Sequence, residues 1–174
     1  MIILRIIFIL LIGAFSLQCS NKGNGNQKIS RKDIKEPLIQ ENIKITREES
    51  RLIDRYVERH EWDMKITGTG LRYMIYQNGN GILAKEGMVA TVDYEIKLMD
   101  GTLCYTSKDK DPRKFLIGKD NVESGIDEGI TLLHVGDKVK FVIPFYLAHG
   151  LSGDNNKIPP RSSLVVDLHL LNLD

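Results

Sequence analysis

Residues 89–98 read VATVDYEIKL. Ala90, Val92, Tyr94, Ile96 and Leu98 alternate with Thr91, Asp93, Glu95 and Lys97. A period of two sends the first set to one face of a β-strand and the second to the other, so this segment is a half-buried strand. Asp100-Gly101 follows as a turn signal, and residues 102–106 can return as an antiparallel partner.

Similar patterns lie on both sides. Leu71, Tyr73 and Ile75 alternate with Arg72, Met74 and Tyr76 until Asn78-Gly79-Asn80-Gly81 breaks the strand. Residues 114–117 are short and extended, stopped by Gly118. Val139, Phe141 and Ile143 alternate with Lys138, Lys140 and Val142, and Pro144 ends the run. Leu164, Val166, Leu168 and Leu170 mark a last strand after a long loop over 145–162, in which Asp154-Asn155-Asn156 reads as loop. One short helix is predicted over about 123–133, with Ile126, Ile130 and Leu133 on one face and Gly136 just past its end. Antiparallel strands with a single crossing helix give an α+β class.

The N-terminal part is different. Arg5, then the apolar run of residues 6–12, then Gly13, Ala14 and Phe15, have the layout of a secretory signal over residues 1–18. The run is short for a membrane span. Cys19 sits where the acylated cysteine of a bacterial lipoprotein would, although Ser16 and Gln18 stand where that pattern has Leu and a small residue. Cleavage with lipidation at Cys19 and an uncleaved N-terminal anchor both tether the chain to a membrane. Residues 19–45 are expected to form a flexible tether, because 20–28 contain no apolar side chain. Thr46 and Glu49 then form a capping-box pattern ahead of Leu52, Ile53, Tyr56 and Val57. This predicts an amphipathic helical extension over 46–66, the helix itself ending near 62. It can lie on its own domain or pair two chains into a homodimer.

Composition narrows the function. The 174 residues carry 24 basic and 23 acidic side chains, a net charge of +1, with no basic run to grip a phosphate backbone, so a nucleic-acid partner has no support. Two cysteines, Cys19 and Cys104, give no disulfide framework, and Cys104 reads as a small buried hydrophobe. The four histidines show no metal-ligand spacing, and neither a metal nor another cofactor is expected.

Taken in order, Gly70-Leu71-Arg72-Tyr73, Gly79 and Gly81, Val92-Asp93-Tyr94, Leu98-Met99-Asp100-Gly101, Pro112, Phe115, Gly118, Val122, Gly125, Glu128-Gly129, Gly136, Pro144, Leu147-Ala148-His149-Gly150, Ile158-Pro159-Pro160 and Leu164-Val165-Val166 resemble the FKBP-type peptidyl-prolyl isomerases. The likeness runs over residues 68–174 and is to membrane-anchored FKBP lipoproteins of gliding bacteria. It implies a bent antiparallel sheet wrapped around one short helix, proline-containing polypeptides as clients, and a location in the cell envelope, lipid-anchored and facing the periplasm. It also implies a helical N-terminal extension through which such proteins pair.

The resemblance assigns the pocket residue by residue. Tyr94 matches the family tyrosine of the long strand. Val122 matches an apolar wall, Ile126 the pocket floor, and Phe115 a further lining residue. Val166 stands in place of a Phe, and His149 in place of a Tyr whose hydroxyl bonds substrate. Ile158 matches the residue whose backbone N–H receives the substrate carbonyl. Four positions depart from the pattern: Cys104 and Arg113 each replace a Phe, Tyr105 replaces an Asp, and Glu123 replaces an Ile. The implied catalytic set is Tyr94, Tyr105, His149 and Ile158. The implied substrate-binding set is Cys104, Arg113, Phe115, Val122, Glu123, Ile126 and Val166.

Such a site suits a reaction that breaks no bond. Rotation about X-Pro faces a barrier of about 18–20 kcal/mol because the planar amide loses resonance. The twisted amide has less charge separation than the planar one, so a dry apolar pocket that binds it better accelerates rotation without metal, nucleophile or acid–base pair. Two functions remain from these residues: an active isomerase assisting envelope-protein folding, or a catalytically weak binding subunit of an envelope machine, with gliding motility as one setting. The altered residues at 104, 105, 113 and 123 motivate the second.

Overall fold

The structure is a computed structural model and describes residues 31–108, 110–119 and 122–174. The signal segment and Cys19 lie outside the described residues. Seven strands, β1 (Lys65–Ile66), β2 (Arg72–Gln77), β3 (Val89–Leu98), β4 (Leu103–Thr106), β5 (Arg113–Leu116), β6 (Lys138–Ile143) and β7 (Leu164–Leu173), form one sheet. Its order is β1-β2-β6-β7-β3-β4, with β5 also on β3, and every pairing is antiparallel.

The long strand organises the sheet as its alternation requires. One edge of β3 pairs with β7 from Ala90↔Leu173 to Leu98↔Leu164. The other edge is shared: β5 takes residues 89–92 and β4 takes residues 95–97. Between them Ser107 completes the edge, its hydroxyl accepting the Tyr94 N–H at 2.9 Å and its own N–H donating to the Tyr94 carbonyl at 3.0 Å.

Helix α2 (Ser124–Ile130) crosses the concave face. Gly125, Ile126, Gly129 and Ile130 are its buried residues, packed in a core with Leu71, Val139, Phe141, Ile143, Val166 and Leu168. Gly129 explains how close the helix lies: a Cβ there would sit 2.5 Å from the Phe141 ring. The helix is shorter than the 123–133 predicted, because residues 131–133 close in turns.

The N-terminal helix, α1 (Arg31–Arg59), begins fifteen residues before Thr46. Thr46 is therefore no cap. Its hydroxyl donates back to the carbonyls of Asn42 and Ile43 at 2.9 and 3.1 Å. Residues 31–45, expected as tether, are rich in Lys, Glu, Gln, Leu and Ile, which favour helix once its first turns exist. The chain divides into two compact units at Gln40, and the helix passes through the division.

Within the second unit, residues 41–174, the helix is fastened to the convex face of the sheet. Arg72, Val142, Val165 and Lys97 are successive cross-strand partners on that face. Buried Arg72 donates to Asp54 at 2.7 Å and to the Ser50 hydroxyl at 2.6 Å. Glu49 accepts the Phe145 N–H at 2.7 Å and the Ser163 hydroxyl at 2.6 Å. Ile53 and Tyr56 are buried as a result, as the amphipathic pattern required. Among the described residues, no helix is long and apolar enough to cross a membrane.

Candidate active site

A cavity of about 350 Å³ opens on the concave side, lined by Tyr94, Ile96, Tyr105, Arg113, Glu123, His149, Asp154 and Asn156. The sheet register builds its back wall. Tyr105, Ile96, Val166 and Phe141 are successive cross-strand partners on β4, β3, β7 and β6. Tyr94 lies one inward position along β3 from Ile96, and β5 brings Arg113 opposite Val92. Glu123 precedes the first turn of α2, and His149 enters from the loop after Pro144.

Five of the residues assigned from sequence thus converge: Tyr94, Tyr105, Arg113, Glu123 and His149. Five others, Cys104, Phe115, Ile126, Ile158 and Val166, are buried in the core to which the half-buried Val122 also packs. They supply the apolar body behind the cavity and are not among its lining residues. Sequence reading missed Asp154 and Asn156, which it assigned only to a loop. Tyr105 and Asp154 are 49 residues apart, and no local spacing relates them.

The mouth is more polar than the apolar hollow expected. Glu123 keeps only 9% exposure, yet its carboxylate accepts from His149 Nε2 at 3.2 Å and faces Arg113 Nη1 at 3.6 Å. The Arg113 guanidinium also lies 6.0 Å from the Tyr94 ring centroid, a cation–π distance. Charged side chains at 113 and 123 thus fill space that the family pattern gives to aromatic and aliphatic ones, and they remain there because they neutralise one another.

A second network sits opposite. Asp154 accepts the Tyr105 hydroxyl, the Asn156 N–H at 2.9 Å and the Ile158 N–H at 2.8 Å. The Ile158 amide is therefore engaged within the protein and does not point open toward a substrate carbonyl. Burial pushes the Asp154 carboxyl up, but these three donors outweigh it and hold the group at about 2. The same hydrogen bond raises the Tyr105 phenol above its ordinary range, because losing that proton would set two anions side by side. Tyr105 is thus a neutral hydroxyl at the cavity wall. Burial likewise raises the Cys104 thiol, whose sulfur lies 3.6 Å from the Lys157 carbonyl. It is an uncharged packing group.

The arrangement can bind an extended peptide segment against Ile96 and the Tyr94 ring, with phenol, imidazole and carboxylate groups around it. Among the described residues, no group of three or more His, Cys, Asp or Glu side chains could hold a metal ion.

Comparison with known proteins identifies the family. Residues 81–171 match the family model described as FKBP-type peptidyl-prolyl cis-trans isomerase. A Drosophila melanogaster protein named peptidyl-prolyl cis-trans isomerase Fkbp12 is 41% identical over 91 residues, covering 52% of this chain and 84% of that protein. A Neisseria meningitidis protein named as a probable FKBP-type peptidyl-prolyl cis-trans isomerase FkpA is 36% identical over 111 residues. That match covers 63% of this chain and 40% of the Neisseria protein, so the chain spans well under two thirds of this relative's length. The crystal structure of FkpA from Escherichia coli superposes with a TM-score of 0.62 at 29% identity, covering 84% of this chain and 74% of that one. With the strand order, the crossing helix and the family model all in agreement, the chain belongs to the FKBP-type peptidyl-prolyl cis-trans isomerase family.

Proposed function

We propose that this protein isomerises X-Pro bonds in client polypeptides, in the cell envelope. The observation that carries this reading is the convergence of Tyr94, Ile96, Tyr105 and His149 on one cavity backed by the sheet core. The proline ring would rest against the Tyr94 ring and Ile96. The Tyr105 hydroxyl and the His149 imidazole edge the same cavity, and either would donate to the twisted amide by exchanging its bond to Asp154 or to Glu123. Rotation unaided takes tens to hundreds of seconds, so a folding catalyst outside the cytoplasm has a clear use.

The test is a protease-coupled or refolding assay on prolyl peptides with the purified chain. Acceleration above buffer at micromolar protein is expected, and its absence overturns the reading. The Arg113–Glu123–His149 cluster favours a second function, a binding subunit with weak catalysis, since it takes up aromatic wall area. Full biological function in Tyr94 and Tyr105 variants that have lost isomerase activity would select that alternative.

The envelope setting rests on the signal-like residues 1–18 and on likeness to the two proteins named FkpA. We place a lipid on Cys19 and the catalytic domain at residues 68–174, and assign any homodimer contact to the face of residues 46–62 left exposed around Leu52, since Ile53 and Tyr56 are buried on the chain's own sheet. Incorporation of labelled palmitate that Cys19→Ala abolishes tests the anchor. Sedimentation of a chain lacking residues 46–62 tests the dimer.

A further inference from the structure

We propose that Glu49, on α1, is a positioning residue for the isomerase cavity: it holds both ends of the loop that carries His149, and through the Phe145 backbone it sets where that imidazole stands. The proposal rests on the isomerase reading of the cavity and brings the N-terminal helix into it.

The loop over residues 145–162 supplies His149, Asp154 and Asn156 to the cavity lining. A side chain from outside both the loop and the cavity joins its ends. Glu49 Oε1 accepts the Phe145 N–H at 2.7 Å and the Ser163 hydroxyl at 2.6 Å. The bonds continue inward from each end. The Phe145 carbonyl accepts the N–H of Ala148 at 3.1 Å and that of Gly150 at 2.8 Å, the two residues that flank His149. The Gly150 carbonyl accepts the Arg161 N–H at 3.0 Å, and two residues later Ser163 returns to Glu49. The circuit closes on one carboxylate oxygen. His149 sits on it, with its Nε2 3.2 Å from Glu123.

Burial makes the clasp firm. Glu49 is only 8% exposed, so its bonds are shielded from competing water. Its other oxygen is buried and accepts no hydrogen bond, so holding the loop is all that its hydrogen bonds do. Arg72 stands near enough to oppose its charge, and the same guanidinium fastens Ser50 and Asp54 of α1 to the sheet. The further ties of this stretch, from the Tyr146 hydroxyl to the Thr69 carbonyl and from the Ser124 hydroxyl to the Leu147 carbonyl, lie exposed. The buried Phe145 ring keeps the segment against the core, while the bond to Glu49 fixes the direction of its backbone. Without that bond the turn bearing His149 can shift, and a small misplacement of a reacting group costs rate.

The test measures kcat and KM of the full chain on one prolyl tetrapeptide, well below the unfolding temperature. Glu49→Ala is expected to lower kcat about fivefold with KM little changed, because Tyr94 and Ile96 lie outside the circuit. Glu49→Gln keeps the acceptor and should restore the wild-type rate. Ile53→Val loosens the buried face of α1 without touching the loop and should leave the rate alone. In a His149→Ala background, Glu49→Ala should have no further effect. Equal rates for wild type and Glu49→Ala overturn the proposal. So does a loss that Gln does not repair, that Ile53→Val shares, or that persists without His149. If Glu49→Ala does not fold, Glu49→Asp, which falls short of the loop, is read in its place by the same outcomes. If neither folds, hydrogen exchange of the wild-type chain decides: the Phe145, Ala148 and Gly150 amides should be protected together, and free exchange at Gly150 beside a protected Phe145 overturns the proposal. If the wild-type chain isomerises no peptide, the isomerase reading fails separately. The His149 ring resonances then decide the positioning: a shift in Glu49→Ala that is absent in Glu49→Gln supports it, and unmoved resonances overturn it.

Discussion

The backbone N–H of Ile158 donates to the Asp154 carboxylate at 2.8 Å. This one bond ties the loop that closes the cavity to the same carboxylate that accepts from Tyr105 on β4. The amide that the resemblance assigned to substrate is thus spent on the architecture of the site, and donors to a bound client must come from the side chains around it.

Removing the charge of Asp154 should flatten acid unfolding. In the folded chain this carboxyl titrates at about 2, below its ordinary 3.8, so the folded state favours the ionised form. Its contribution is therefore fully present above about 3.8 and is lost as pH falls through about 2. Urea unfolding across this range should show wild type losing stability relative to Asp154→Asn as the pH drops, with the two converging near the lower limit.

Glu49 has the opposite sign. Burial raises its carboxyl, against the lowering effects of Ser163, the Phe145 N–H and Arg72. The folded state holds the proton more tightly than the unfolded chain. The resulting stabilisation is full below the ordinary 4.5 and is lost as pH rises through the elevated value. Glu49→Gln keeps an acceptor for Phe145 and should match or exceed wild-type stability at neutral pH. Glu49→Ala leaves the buried Phe145 N–H and the half-buried Ser163 hydroxyl unpaired and should cost about 1–3 kcal/mol by denaturant titration.

Restoring the family's aromatic residue at Cys104 should harm this chain. The thiol is 1% exposed, and its sulfur packs 3.6 Å from the Lys157 carbonyl. Cys104→Phe would overfill that space and should lower stability by about 1–3 kcal/mol, measured by thermal or urea unfolding. A gain in stability would show that the core holds slack there.

Tyr94 contributes ring area to the cavity. Tyr94→Ala should reduce kcat/KM on prolyl peptides roughly tenfold, the effect of losing about 1–1.5 kcal/mol of aromatic contact with the twisted amide. Circular dichroism of the variant checks that the sheet survives. An unchanged kcat/KM would move the proline site away from β3.

The two halves of α1 show what reading along the chain can and cannot deliver. Ile53 and Tyr56 were legible as a buried face because their spacing alone defines it. The start of the helix was misplaced, because Thr46 and Glu49 have the right spacing for a capping box whether or not a helix precedes them. Only the folded chain shows Thr46 bonding backward and Glu49 reaching Phe145, 96 residues away.

What the sequence determined is the set of local periods: the alternation along 89–98, 138–143 and 164–170, the short helix, and with them the α+β class and the family. These depend on residues two to four positions apart, which share a face in any strand or helix. What only the tertiary structure decided is the chemistry of the cavity. Glu123 meets His149 at a separation of 26 residues and Asp154 meets Tyr105 at 49. Strand register and loop closure set those distances, and a carboxylate's role follows from the donors brought to it, which no local pattern records.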